Sequence, residues 1–317
     1  MAELPANAAE PVFLGGTGRS GTHAGAQLVG SHSCYRYINR EVRFHTDQGG
    51  LGDLLAGRVG MKRFLARMRG HWWRRERPEG QEGGLHKIFD PEDFERVLAE
   101  FERSFESDRV GASTRLTRAL LDPLAAKVGK PSWVEQSTRT IAGAQHLAAM
   151  FPRARFIHMV RDGRDVACSL VSLPRGPDSL MAGIARWERQ LRAADAGARE
   201  LGPDRVLQVP LEELVITERE PTYDRILEFL GVEDEPEIRS HFENRMVSSN
   251  ANLGRWELDL SESEQRELTR AYARSLESLS RDGVRSAEVL SERAELPAEE
   301  TGAGPSLTRR IPSLFRR

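Results

Sequence analysis

Four glycines, Gly15, Gly16, Gly18 and Gly21, surround Arg19, Ser20 and Thr22 in the stretch GGTGRSGTH (15–23). Glycine lets a backbone approach an anion closely, arginine supplies charge and the hydroxyls supply hydrogen bonds: the makings of a phosphate cradle. The apolar run Val12–Leu14 precedes the stretch and a helix from about Gly21 to Val29 follows it. The loop would then lie at a helix N-terminus, where free N–H groups and the helix dipole favour negative charge. A tight strand-to-helix turn with no ligand is the plainer reading of the same residues. The nucleoside-triphosphate loop G-x-x-x-x-G-K-[ST], counted from Gly16, fails at its last two places. Thr22 stands where the lysine belongs and His23 where the magnesium-binding hydroxyl belongs.

A second segment, FIHMVRDGRDVACSL (156–170), offers a matching group. Arg161 falls at the carboxyl end of a buried strand, Ala154–Val160, and Ser169 two turns into the helix that Asp162 or Asp165 can cap. Both residues would face the crevice beyond the strand ends, where open α/β sheets bind ligands. A salt-bridged loop is the alternative reading of RDGRD alone. Together the two loops ask for a ligand with two separate phosphate groups.

GGTGRSGTH followed about 140 residues later by FIHMVRDGRDVACSL resembles the sulfotransferase family. The resemblance implies a P-loop-like three-layer α/β fold with a central parallel sheet flanked by helices. It also implies 3′-phosphoadenosine 5′-phosphosulfate (PAPS) as sulfuryl donor, with no metal required. On this resemblance Gly18, Arg19, Ser20, Gly21, Thr22 and His23 take the 5′-phosphosulfate, and Arg161 and Ser169 the 3′-phosphate. His23 departs from the family's usual Thr or Ser. A third match, NANLGRWELDLSESE (250–264), would fold Arg255 over the nucleotide, its local alternative being a capped helix start with a core tryptophan. The lost lysine and metal ligand count against a kinase and cost a sulfotransferase little, because arginine and backbone dipoles can stabilise a phosphate leaving group.

An acceptor hydroxyl needs a base. NREVRFH (39–45) resembles the segment after the phosphosulfate loop of tyrosylprotein and heparan sulfotransferases, which places Glu41 as base, Arg19 as the charge on the leaving group and Arg43 beside Glu41 on an extended strand. A surface ion pair is the alternative for Glu41, and His45 is the rival base. WVEQSTR (133–139) adds Glu135 and Arg139 as substrate-side candidates; His86 and His158 read as structural. The acceptor stays open among carbohydrate, peptide tyrosine and small metabolite. A small-molecule kinase or NTPase and a catalytically silent nucleotide-binding protein are the competing functions.

The elements that must hold these residues alternate strand and helix, which argues for a parallel sheet covered on both faces. The sulfotransferase-like region runs over 11–285, after an N-terminal extension (1–10) and before a tail from 286 that reads as flexible. Residues 50–125 carry two helical patterns, a helical insertion expected to bear acceptor specificity; its Trp72-Trp73 pair reads as packing or as an acceptor platform. At 317 residues and 39% apolar content the chain can bury a core, and no apolar run reaches the length of a membrane span. The formal charge of −2 offers no global field for nucleic acid. Of 46 basic residues only Lys62, Lys87, Lys127 and Lys130 are lysine, so guanidinium forks would grip any phosphate. Two isolated cysteines, Cys34 and Cys168, and no signal-peptide pattern point to the cytoplasm. The apolar faces of the insertion could pack internally or in a homodimer.

Overall fold

The computed structural model describes residues 10–76 and 82–294. Five parallel strands form the central sheet: β1 (Val12–Gly16), β2 (Tyr35–Tyr37), β3 (Ser132–Gln136), β4 (Arg155–Val160) and β5 (Val206–Pro210). Their order is β2-β3-β1-β4-β5, with β1 in the middle. Its register pairs Phe13 with Glu135 on one side and with Phe156 on the other.

Alternation along the strands sends side chains into two separate cores, as expected of a parallel sheet covered on both faces. Val12, Leu14, Val134, Ile157 and Met159 share one apolar cluster with helix α1 (Thr22–Ser31). Phe13, Trp133 and Phe156 point the other way, into a cluster that contains the insertion. Phe13 stacks on Phe156 at 5.5 Å and meets Trp133 edge-on at 5.4 Å.

The insertion is helical and contributes directly to this second core. Helix α2 (Pro91–Ser104) starts where Asp90 accepts hydrogen bonds from the amides of Glu92 and Asp93, with proline at its first position. Helix α3 (Arg109–Ala126) is capped by Asp108. Trp72 is buried and Trp73 stacks on Phe94 at 4.4 Å, so the tryptophan pair packs the core.

After β4, Asp162 accepts from the Arg164 amide and starts helix α4 (Gly163–Val171), while Asp165 lies in its first turn. Helix α5 (Leu180–Leu201) packs on α4. Near the C-terminus, Ser261 and Glu264 form the expected capping box of helix α6 (Glu262–Arg281). Residues 286–294, expected to belong to the flexible tail, are helical. A further helix, α7 (Arg285–Ala294), follows α6 and buries Ala287 and Leu290 in the core, because its apolar residues recur at helical spacing. Residues 1–9 and 295–317, which hold most of the expected extension and tail, lie outside the described residues. Glu10, the first described, pairs with Arg118 and Arg153. Among the described residues no helix is long and apolar enough to cross a membrane.

Candidate active site

The loop between β1 and α1 is held open by backbone geometry. Gly18 and Gly21 have φ of 71° and 84°, and Arg19, between them, has φ of 60°. A left-handed arginine is strained, and such strain persists where the surroundings over-determine it. Gly16 carries a steric demand of its own, since a Cβ there would collide with Ser20 Oγ and the Met159 carbonyl oxygen. Helix α1 then begins with no side-chain cap and no acidic residue in its first turn. Its first amides are therefore available to an anion.

This loop forms one wall of a cleft of about 850 Å³ at the carboxyl ends of the strands. Five arginines line it (Arg19, Arg43, Arg161, Arg186 and Arg245) against one carboxylate, Glu41. Leu170, Leu173, Leu211 and Val215 supply an apolar side. Partial burial, then the charges of Arg161 and Arg255, hold the Arg19 guanidinium below its ordinary pKa. Like charges gathered in a cleft repel one another until an anion enters.

Gly18, Arg19, Gly21, Thr22, His23 and Arg161 line the cleft. Ser20 does not: it is wholly buried and its Oγ has no hydrogen-bond partner. Ser169 lies behind Arg19, whose Nε donates to Ser169 Oγ at 2.7 Å, so Ser169 orients the guanidinium. Arg255 pairs with Asp259 at 2.8 Å. His23 is fixed by the Tyr37 hydroxyl, 2.9 Å from its ring nitrogens, and by Gln136 Nε2 at 3.1 Å.

Arg161 is the best-buried charge of the cleft. It donates to the carbonyls of Arg19 at 3.0 Å and Asn252 at 2.6 Å and pairs with Asp165 at 3.2 Å. Asp165 also accepts from the Gly254 amide at 3.0 Å. The Gly-Arg-Trp segment is thus tied to the second loop, and Trp256 lies under the Arg164 guanidinium at 3.9 Å. Asn252 (φ 50°) and Arg43 (φ 61°) join Arg19 as the non-glycine residues with left-handed backbone among those described. All three serve this one cleft.

Glu41 stands at the rim, 3.6 Å from Arg43 and 3.7 Å from Arg75. Glu41 and Arg43 do meet, but not along an extended strand. Strand β2 ends at Tyr37, and the left-handed Arg43 begins a turn in which its carbonyl accepts from the amides of Thr46 and Asp47. The structure places Glu135 and His45 away from this cleft. Glu135 is 0% exposed, accepting from Ser137 Oγ, the Val42 amide and His45 Nε2, so as folded it braces the Glu41 segment from below. His45 is 1% exposed and, with Arg139, lines a different cleft.

Residues that sequence reasoning missed include Gln136, Thr138, Arg186, His241, Arg245 and Asn250. Gln136 and Thr138 sit inside WVEQSTR at the end of β3, and their position there was a usable signal. Arg186 is one of many helix-face arginines, with nothing local to single it out.

Beneath the second loop, Glu212 accepts from the Asp162 amide at 3.0 Å. The residue is partly exposed as a whole, but its Oε2 is enclosed without a partner. Burial pushes its carboxyl up to about 7. A raised folded-state pKa gives stability that is present below about pH 4.5 and lost as pH rises through 7. Glu212→Gln is therefore expected to raise the melting temperature at pH 8 and to leave it nearly unchanged at pH 5. A variant that melts alike at both, relative to the parent, would show that Glu212 does not titrate in this range.

Comparison with known proteins gives a consistent set of matches. The family model described as "Sulfotransferase family" matches residues 11–236. A Drosophila melanogaster protein named protein-tyrosine sulfotransferase is 27% identical over 228 residues, which is 70% of this chain and 38% of that protein. The chain thus spans well under half the length of that relative. Among solved structures, the sulfotransferase domain of the Synechococcus PCC 7002 olefin synthase has a TM-score of 0.49 at 18% identity, covering 83% of this chain and 94% of the other. A mouse sulfotransferase complexed with PAP has a TM-score of 0.45 at 11% identity, covering 90% and 89%.

Proposed function

The chain belongs to the sulfotransferase family, and from that premise we propose that it moves the sulfuryl group of PAPS to an acceptor hydroxyl. The observation that carries this reading is the meeting of Arg19 and Arg161, which donates to the Arg19 carbonyl at 3.0 Å, in the cleft at the uncapped start of α1. Such a cleft suits a ligand with two separated phosphates better than one with a single charge. The first loop and Arg19 suit the 5′-phosphosulfate, Arg161 the 3′-phosphate, and the leucine-lined side the purine.

In the proposed reaction the acceptor oxygen attacks sulfur in line with the bridging oxygen of the donor. Glu41 accepts the hydroxyl proton as the new O–S bond forms. The old S–O bond breaks and its electron pair stays on the 5′-phosphate. Arg19 and the loop amides stabilise that charge, and 3′-phosphoadenosine 5′-phosphate (PAP) leaves. Ser169 contributes by holding Arg19, and Tyr37 with Gln136 by holding His23. The acceptor is a hydroxyl-bearing molecule reached past Glu41 and Arg43. With both cysteines free, the cytoplasm is the proposed setting.

Calorimetric titration with PAP, in the absence of metal, tests the donor. Binding is expected to be much tighter for PAP than for ADP or for ATP with Mg²⁺. Equal affinity for ADP, or a requirement for Mg²⁺, would remove PAPS as donor and return the kinase reading.

A further inference from the structure

A second cleft, of about 710 Å³, opens beside the first. The two share two walls. The segment that brings Glu41 and Arg43 to the first cleft continues as His45 to Gly49 in the second, and Thr138 of the first is followed directly by Arg139 of the second. Adjacent Cα atoms are about 3.8 Å apart, so the clefts meet within one residue along this loop.

The charges of the second cleft do not balance. Arg58, Arg63, Arg67 and Arg139 line it against Asp47 and Asp53. Both aspartates are already engaged, Asp47 by Arg43 at 2.8 Å and Asp53 by Arg58 at 2.7 Å. Arg63, Arg67 and Arg139 make no ion pair among the described residues. The Arg67 guanidinium is held over the Trp72 ring at 4.7 Å, and its Nε is enclosed without a hydrogen-bond partner. Gly49 lies against that guanidinium: a Cβ there would come within 3.1 Å of Nε, at a φ of 75°. His45, on the same cleft, is buried and pairs through Nε2 with Glu135.

We propose that this second cleft is a binding site for a multiply charged oxyanion, gripped by Arg63, Arg67 and Arg139. Several guanidinium forks lining one cleft suit carboxylate, sulfate or phosphate oxygens. Such an oxyanion has two sources: a group on the acceptor itself, whose hydroxyl would then reach Glu41 past the shared wall, or a free anion acting as an effector.

Pyrophosphate is the probe. The protein is first saturated with PAP, so that the first cleft is filled, and then titrated with pyrophosphate. One-site binding is expected, weakened at least about tenfold in Arg67→Gln and again in Arg63→Gln, with PAP affinity unchanged. Arg63 is exposed, so its variant stays informative even where Arg67→Gln disturbs the Trp72 contact. Absence of binding, or binding that neither variant weakens, would overturn the site. Failure of PAP to bind would sink the donor reading and leave the pyrophosphate titration readable. To separate the sources, 4-hydroxyphthalate is added with radiolabelled PAPS. Label transfer that pyrophosphate suppresses assigns the oxyanion to the acceptor. No transfer, with pyrophosphate changing PAP affinity, assigns it to a free effector.

Discussion

Glu41→Gln is expected to lower sulfuryl transfer at least about 100-fold while PAP binds as it does to the parent protein. Glutamine keeps the shape of the side chain and its ability to accept a hydrogen bond, but it cannot take the acceptor's proton at neutral pH. Glu41 lies at the rim of the cleft, about a third exposed, and both of its arginine contacts are longer than a hydrogen bond. Surface ion pairs of that kind contribute at most about 1 kcal/mol, so the fold should survive the change. The experiment pairs steady-state transfer from radiolabelled PAPS with PAP titration of the same preparation. Near-normal turnover would make Glu41 a surface ion-pair residue and reopen the search for the base. His45 would need to leave Glu135 and its buried position before it could fill that role.

The second large effect concerns the 3′-phosphate. Arg161→Ala should weaken PAP binding by roughly 1.5–3 kcal/mol, the range for a charge-assisted hydrogen bond. It should also lower thermal stability, because buried Asp165 would lose its charged partner and two carbonyls their donor. Those structural losses would touch any nucleotide. A comparison of PAP with adenosine 5′-phosphate isolates the direct contact, since only PAP carries the 3′-phosphate. The parent should prefer PAP strongly, and the variant should lose most of that preference. If both nucleotides weaken equally, Arg161 acts only as a scaffold for the Arg19 and Asn252 backbone.

Much of this architecture can be read from local pattern. The run Val12–Leu14 and the run ending at Val160 are short, apolar and bounded by Gly or charged turns, and both are sheet strands, buried throughout except at Arg155. Ser261 with Glu264 marked a helix start, because a capping box needs only four consecutive residues. The apolar spacing after 285 was as regular, but charged residues between its members hid a helix that packs on the core. Glycines and Arg19 at the end of the first strand marked the anion loop for the same local reason.

What the sequence determined by itself was therefore the set of loops at the strand ends and the chemical types they carry. Which of those side chains turn toward the ligand was decided only by tertiary structure. Ser20 and Thr22 look alike in GGTGRSGTH, yet Thr22 lines the cleft and Ser20 is buried against Gly16. Glu135 and His45 look like site residues, yet they close on one another beneath the surface. Arg139 and Arg67 lie far apart in the chain and line one cleft. The physical reason is that facing depends on the left-handed turns at Arg19 and Arg43 and on the placing of β1 between β3 and β4. Those are consequences of long-range pairing, which no short window of sequence contains.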